Sequence, residues 1–333
     1  MTLAYALFAA VAVAGLVSGV GTRMIIPHLR RAGVAAAPNE RSLHQAPTPH
    51  GGGIGPVAGI LLVWLAALIG GWRPAAEVLI LAGALLLAIV SWLDDRYELS
   101  PATRLVPQIL VVLLSLDLVP LGGPVFQFWL PLPLDRIAAG LAWLWFINLF
   151  NFMDGADGLT GSEAAAIGVG IVLVSASTDP ATALIGAALA AASLGFLASN
   201  WAPARVFMGD VGSIPLGYLI GFLLLRLAAE GEWRAALILP LYFLADATIT
   251  LARRVARGEK IWRAHREHFY QRAVLAGLSH AAMVRRVIVA NLALIACAWA
   301  AERGYGIAGL VAACLVVVIL LVVLARARYT RTS

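Results

Sequence analysis

Eleven stretches dominated by apolar side chains, each near the length needed to cross a bilayer, take up most of the chain. They fall at 3–26, 53–70, 75–93, 104–119, 134–150, 162–177, 181–198, 211–227, 235–251, 284–301 and 306–325. Hydrocarbon offers no water to backbone N–H and C=O groups, so a segment inside it must satisfy them within itself, as a helix does. A helical span needs about 20 residues, with a lower limit near 17, and several of the runs sit at that limit. The expectation is an all-α polytopic membrane protein, a bundle of 10–11 transmembrane helices forming one domain over residues 1–333. Composition agrees: 61% of residues are hydrophobic and 13% charged, with mean hydropathy +0.89, where a soluble domain carries about 25% charged residues. A soluble enzyme, a disordered chain and a nucleic-acid-binding domain are thereby excluded, and the lipid bilayer is the expected surrounding.

The basic residues orient the bundle. Nothing basic precedes the first run, whereas Arg23 stands in its last turn and Arg30 and Arg31 follow it, the reverse of a signal peptide. With the N-terminus outside and loops alternating from there, 19 of the 24 basic residues face the cytoplasm and five, Arg73, Arg136, Arg226, Arg234 and Arg303, face out. That split obeys the positive-inside rule and predicts an odd number of spans. The preference for arginine over lysine is ascribed to genome composition. Cys297 and Cys314 supply no disulfide framework or metal-ligand spacing. The outer stretch 121–133, with Pro124, Phe126, Phe128 and Trp129, is expected as a short interfacial hairpin.

Acidic residues number only 18, and their clustering carries chemical information. Asp94 and Asp95 end the third run, Asp154 and Asp157 follow the fifth, and Asp210 precedes the eighth, which puts all five on the expected cytoplasmic face. Single carboxylates at a membrane boundary simply end helices, but five on one face of so charge-poor a chain point to a site. The fullest cluster runs Asn148-Leu-Phe-Asn151-Phe-Met-Asp154-Gly155-Ala-Asp157-Gly158-Leu159. Its polar residues recur every third position, offset by about 60° on a helix, and Gly155 and Gly158 predict a helix end near Asp154. The asparagines then occupy the last helical turn while the aspartates enter a tight loop. Adjacent Asp94 and Asp95 diverge by about 100° on their helix, so one can meet a ligand while the other pairs with Arg96. Separated carboxylates without a histidine-rich core suit magnesium, which takes one or two protein carboxylates plus substrate phosphates, rather than zinc.

Two loops add candidates. The segment after the ninth run carries Arg253, Arg254 and Arg257, which read as anchors, and then a tight group of His265, Arg266, His268 and Arg272 that offers imidazole and guanidinium donors to phosphate. The first loop carries Asn39, Arg41, Ser42 and His44, followed by Pro47-Thr48-Pro49-His50-Gly51-Gly52-Gly53, whose glycines permit close backbone approach. Asp246, inside the ninth run, is read either as a functional intramembrane group or as a partner of Arg253.

The motifs resemble the polyprenyl-phosphate N-acetylhexosamine-1-phosphate transferase family. The 47–53 motif, Asp94-Asp95, 148–159 and 207–213 (Phe-Met-Gly-Asp-Val-Gly-Ser) occur in that family's order, and the resemblance covers residues 39–272. The segment from Trp262 to Arg272 most resembles the O-antigen-initiating branch, although Phe269, Tyr270 and Gln271 stand where a histidine-richer loop occurs in other branches. The resemblance implies that undecaprenyl phosphate attacks the β-phosphorus of a UDP-linked amino sugar, giving undecaprenyl-pyrophosphoryl sugar and UMP. It implies Mg2+, with Mn2+ as a substitute, at Asp210 with Asn151 as a second ligand; Asp94 and Asp95 positioning the lipid phosphate or taking its residual proton; and His268 among the reacting groups. Asn148, Asp154 and Asp157 are expected at the nucleotide-sugar, with His265, Arg266 and Arg272 on its pyrophosphate or sugar. The site is expected at the cytoplasmic face of a bacterial inner membrane, and the family is compatible with a homodimer. The competing reading is a secondary transporter with Asp246 as its coupling site, which would place polar groups near the midplane.

Overall fold

A computed structural model describes residues 3–32, 35–36, 48–97, 99–260 and 265–327. Asn39, Arg41, Ser42, His44, Pro47 and Trp262 lie outside the described residues. Every apolar run is helical. The helices are α1 (Leu3–Arg31), α2 (Ile54–Ile69), α3 (Val78–Tyr97), α4 (Pro101–Leu118), α5 (Leu132–Phe152), α6 (Leu159–Ser175), α7 (Pro180–Asn200), α8 (Asp210–Ala229), α9 (Trp233–Ile238), α10 (Leu241–Ala256), α11 (Phe269–Leu275), α12 (His280–Glu302) and α13 (Gly306–Ala325). Seven of them, α1, α4, α7, α8, α12, α13 and α3 with the short turn Ala75–Glu77 before it, are long and apolar enough to cross a membrane; α2 and α6 are shorter apolar helices.

The ninth run is broken where the sequence shows only an apolar stretch. Pro240 has no N–H to continue the ladder, so α9 stops at Ile238 and α10 restarts at Leu241. The 121–133 stretch is turns and bends up to α5, which takes in its last two residues, rather than the expected hairpin, and its backbone is held by Asp135, whose carboxylate accepts from the N–H groups of Val125 (3.0 Å) and Phe126 (2.7 Å).

Helix α8 is the axis of the bundle. It is apolar on all sides and almost wholly buried, packing against α3 and α5, as expected of a helix with no polar face. Polar groups fix its rotation: Tyr218 shares a hydrogen bond with Ser115 of α4 (2.7 Å), its ring stacks on Trp143 of α5 (centroids 4.9 Å apart), and the Trp143 indole donates to the Tyr218 carbonyl at 2.9 Å. Lipid tails are as apolar as the helices, so close packing rather than the hydrophobic effect holds helices together here. Small residues supply that closeness along α1, α2 and α7, where a side chain on Gly59 would strike the Ala14 carbonyl and one on Gly195 the Gly15 carbonyl.

Candidate functional site

The site is organised around the beginning of α8. Gly209 (φ +72°) precedes Asp210, and the 207–209 strand of backbone is clamped by the first loop. Phe207 N–H donates to the Pro49 carbonyl (2.8 Å), and the N–H groups of Gly52 and Gly53 donate back to Phe207 (2.9 Å) and Met208 (3.0 Å). A Cβ on Gly212 would lie 2.5 Å from the Gly53 Cα, and one on Gly52 would meet Val206 at 2.8 Å. The glycines of the 47–53 motif thus admit the backbone of another protein segment. This packing sets His50 against Gly209 and opposite Asp95, with His50 Nδ1 3.4 Å from Asp95 Oδ2.

Three acidic motifs meet there. α5 ends at Phe152, leaving Asn148 and Asn151 in helix and Asp154 and Asp157 in the following loop, as their spacing predicts. Asp154 accepts from Thr160 and from the Gly209 backbone and feels the charges of Asp210 and Asp95. Asp210 is bonded by the Asn151 side chain, which also donates to Ser213 at 3.1 Å, and lies in the field of Asp95, Asp94 and Arg104. Burial, reinforced by Asp210 and Asp95 and opposed by the two hydrogen bonds, pushes Asp154 up to about 7. His50 is raised, chiefly by its bond to Asp95. Asp94 pairs with Arg104 of α4 (3.1 Å) and accepts from Leu99 N–H (2.8 Å). The expected partner, Arg96, is replaced by a residue that only the packing of α4 on α3 brings near.

These residues fit a divalent cation. Buried Asp95 Oδ2 is met by the His50 imidazole in a long contact of 3.4 Å, and three carboxylates repel one another at the end of a buried helix. A cation between them would supply the missing charge, and their hard oxygens match magnesium. Among the described residues no group of three or more His, Cys, Asp or Glu side chains is placed to hold a metal ion by itself, so such an ion would need further oxygens, which a diphosphate carries.

Residues 78–228, which contain all five of these aspartates, match the model described as glycosyl transferase family 4. The chain is also 34% identical over 245 residues to the phospho-N-acetylmuramoyl-pentapeptide-transferase of a Synechococcus strain, an alignment covering 65% of this chain and 67% of that protein. The chain belongs to glycosyl transferase family 4. It is 29% identical over 288 residues to the probable undecaprenyl-phosphate N-acetylglucosaminyl 1-phosphate transferase of Bacillus subtilis, covering 81% of this chain and 79% of that one. To the decaprenyl-phosphate N-acetylglucosaminephosphotransferase of Mycolicibacterium smegmatis it is 29% identical over 293 residues, covering 75% and 71%. This glycosyl transferase is therefore a membrane-embedded sugar-phosphate transferase, and transport falls as the competing reading.

Residues 265–272 form a second wall beside these carboxylates. His265 and His268 have ring centroids 5.0 Å apart, and His268 stacks on Tyr270 at 5.7 Å. The Tyr270 hydroxyl donates to the Phe152 carbonyl (3.3 Å), and a Cβ on Gly155 would overlap that hydroxyl, so the histidine segment abuts the Asp154 turn. Arg272 is exposed on α11. Arg254, 4% exposed, is not a solvated anchor: it pairs with Glu259 (3.0 Å) and Glu267 (3.8 Å), and Arg257 bridges the same two glutamates, clasping the loop. Asp246 does not pair with Arg253, whose guanidinium lies over the Phe269 ring at 4.9 Å; its carboxylate accepts from His268, Phe269 and Tyr270.

Of the residues singled out from sequence, Asp94, Asp95, Asn151, Asp154 and Asp210 are drawn together, with His265 and His268 joined to them through Tyr270. Two are occupied elsewhere. Asn148 donates to Gln108 of α4 and to the Leu144 carbonyl, both at 2.8 Å. Asp157 accepts from Ala204 N–H at 3.1 Å and sits 3.8 Å from His280 Nδ1, tying its loop to the 200–204 turn and to α12. Sequence reasoning passed over Thr160, Ser213, Arg104 and Tyr270 as site residues. The first two stand three or four residues beyond a motif aspartate or glycine and had a local signal; Arg104 and Tyr270 had none.

Proposed function

We propose that this transferase moves an N-acetylhexosamine 1-phosphate, or that of a related amino sugar, from its UDP conjugate to undecaprenyl phosphate at the cytoplasmic face of a bacterial inner membrane. One observation carries the reading: three acidic motifs far apart in sequence are electrostatically coupled around one helix N-terminus, at one end of the helix bundle. A lipid-held phosphate and a soluble nucleotide meet only at such a boundary. A phosphate monoester with a second pKa near 6 is largely dianionic at neutral pH, so the task left to the protein is to align and neutralise two anions.

In this reading an oxygen of the lipid phosphate forms a bond to the sugar-bearing β-phosphorus. The bond from that phosphorus to the bridging oxygen breaks, its electron pair leaves on UMP, and no proton is consumed. Members of the family generally depend on a divalent metal. Asp210, with Asn151 beside it, would hold Mg2+ or Mn2+, which supplies charge neutralisation for the diphosphate. Asp94 and Asp95 orient the lipid phosphate, with Arg104 and His50 as their cationic partners. Asp154 and Asp157 line the nucleotide side, Asn148 steadies the helix that carries them, and His265, Arg266, His268 and Arg272 meet the pyrophosphate or sugar. The Trp262 to Arg272 sequence supports a role in starting an O-antigen or a similar envelope polysaccharide.

Purified protein incubated with undecaprenyl phosphate, magnesium and a panel of labelled UDP-sugars tests this directly. UMP release with at least one UDP-N-acetylhexosamine is expected; folded protein that releases none with any donor refutes it.

A further inference from the structure

We propose that Asp246 is a positioning residue of the transferase, acting through His268; the inference rests on the reading of His268 as a group that meets the donor. Asp246 is fully buried in α10, 22 residues before His268. Its Oδ1 accepts from Phe269 N–H (2.9 Å), His268 Nδ1 (3.2 Å) and Thr250 Oγ1 (3.3 Å), and its Oδ2 accepts from Tyr270 N–H (3.3 Å) and the Tyr242 hydroxyl (3.4 Å). Both oxygens are therefore taken up by this segment and by α10 itself, and the carboxylate has no capacity left for a substrate.

The geometry has three consequences for His268. A carboxylate only accepts, so Nδ1 carries the hydrogen and Nε2 is the basic nitrogen, a tautomer set by the partner of the other ring nitrogen. The ring packs against two other rings, tilted by 33° to His265 at 5.0 Å and stacked at 20° on Tyr270 at 5.7 Å. The position of the ring along the chain is fixed as well, because Asp246 also holds the two backbone N–H groups that follow it. Tyr270 then docks the whole unit on the Phe152 carbonyl, two residues before Asp154. One buried carboxylate in α10 thus sets the tautomer, orientation and reach of an imidazole in the segment that follows. The buried aspartate of a serine-protease triad relates to its histidine in the same way, orienting it without touching substrate.

The experiment is a double-mutant cycle on the full-length enzyme with Asp246→Asn, His268→Gln and the double variant, reading kcat, KM for each substrate, and thermal unfolding. His268→Gln and Asp246→Asn should each lower kcat by roughly ten- to a hundred-fold, the usual cost of losing an orienting partner. KM for the lipid phosphate should stay within about twofold, and the double variant should be no worse than the poorer single one. Losses that multiply in the double variant, or full kcat in folded Asp246→Asn, overturn the inference while leaving the site reading intact. Normal turnover of His268→Gln overturns the role of His268 and the inference together. Should Asp246→Asn fail to fold, Asp246→Glu keeps the charge and displaces it by one methylene: a lowered kcat supports the inference, and an unchanged kcat refutes it.

Discussion

The two ends of α8 carry the same kinds of residue in opposite states. Asp210 opens the helix and Arg226 lies in its last turn, sixteen positions and about 24 Å apart at ~1.5 Å per residue. At the Arg226 end Glu77, Asp179 and Glu230 each have a cation, while Glu232 accepts from the Thr178 hydroxyl (2.7 Å). Arg73, 4% exposed, pairs with fully buried Glu77 and with Asp179 (3.2 Å), and Arg226 reaches Asp179 (3.2 Å), Glu77 (3.4 Å) and Glu230 (3.0 Å). Burial disfavours the Asp179 carboxylate, but Thr182, Arg73 and Arg226 outweigh it and hold the group at about 2. At the Asp210 end three carboxylates share a space with fewer cations, and Asp154 rises to about 7. At one end two arginines are shared among Glu77, Asp179 and Glu230 in a buried ionic network. The other is left short of positive charge, which is the condition for binding a metal ion with an anionic substrate.

The comparison can be broken most severely at its saturated end. Replacing Arg73 with Met leaves Glu77 buried with much of its charge uncompensated and should cost about 3–5 kcal/mol of stability, seen as a large drop in the thermal unfolding temperature of the detergent-solubilised protein. Unchanged unfolding would mean the network is ornamental. At the other end Asp210→Asn should leave unfolding near normal and lower UMP release by about 2–4 kcal/mol of transition-state stabilisation; near-normal turnover would remove the metal assignment.

A pH series sharpens the contrast. Asp154, raised in the folded state above an unfolded value near ~4, makes the metal-free fold progressively less stable as pH rises from about 4 toward its folded pKa of about 7. Magnesium relieves that repulsion, so its stabilising effect should grow between pH 6 and 8 on the order of one pKa range and shrink in Asp154→Asn; an increment that is flat in pH, or unaltered by the variant, counts against the assignment. Asp179 behaves in the opposite sense. Its depressed pKa stabilises the fold above the unfolded value, and that support is lost only as pH falls toward about 2. The smallest effect is expected at the exposed clasp, where Arg257→Ala removes solvent-screened pairs with Glu259 and Glu267 and should leave the thermal unfolding temperature essentially unchanged.

Much of this molecule was legible in its sequence because a membrane makes local rules strict. Each of the eleven apolar runs is helical, and the 148–159 motif ends its helix where its glycines require. The break at Pro240 had a signal that the run's hydropathy concealed. The convergence of Asp94, Asp95, Asp154 and Asp210 could be inferred as a shared face, but their partners could not. Asp94 binds Arg104 rather than the adjacent Arg96, Asp157 is spent on Ala204 and His280, and Asp246 holds a loop 22 residues downstream.

The sequence by itself therefore determined the helices, the bundle and the family, since those follow from hydropathy, spacing and residue type read along the chain. Only the tertiary structure decided which acids are neutralised and which are not. Arg73 meets Asp179 across 106 residues and Arg226 meets Glu77 across 149. A carboxylate's function depends on the charges within a few ångströms of it, and packing, rather than order along the chain, sets those distances.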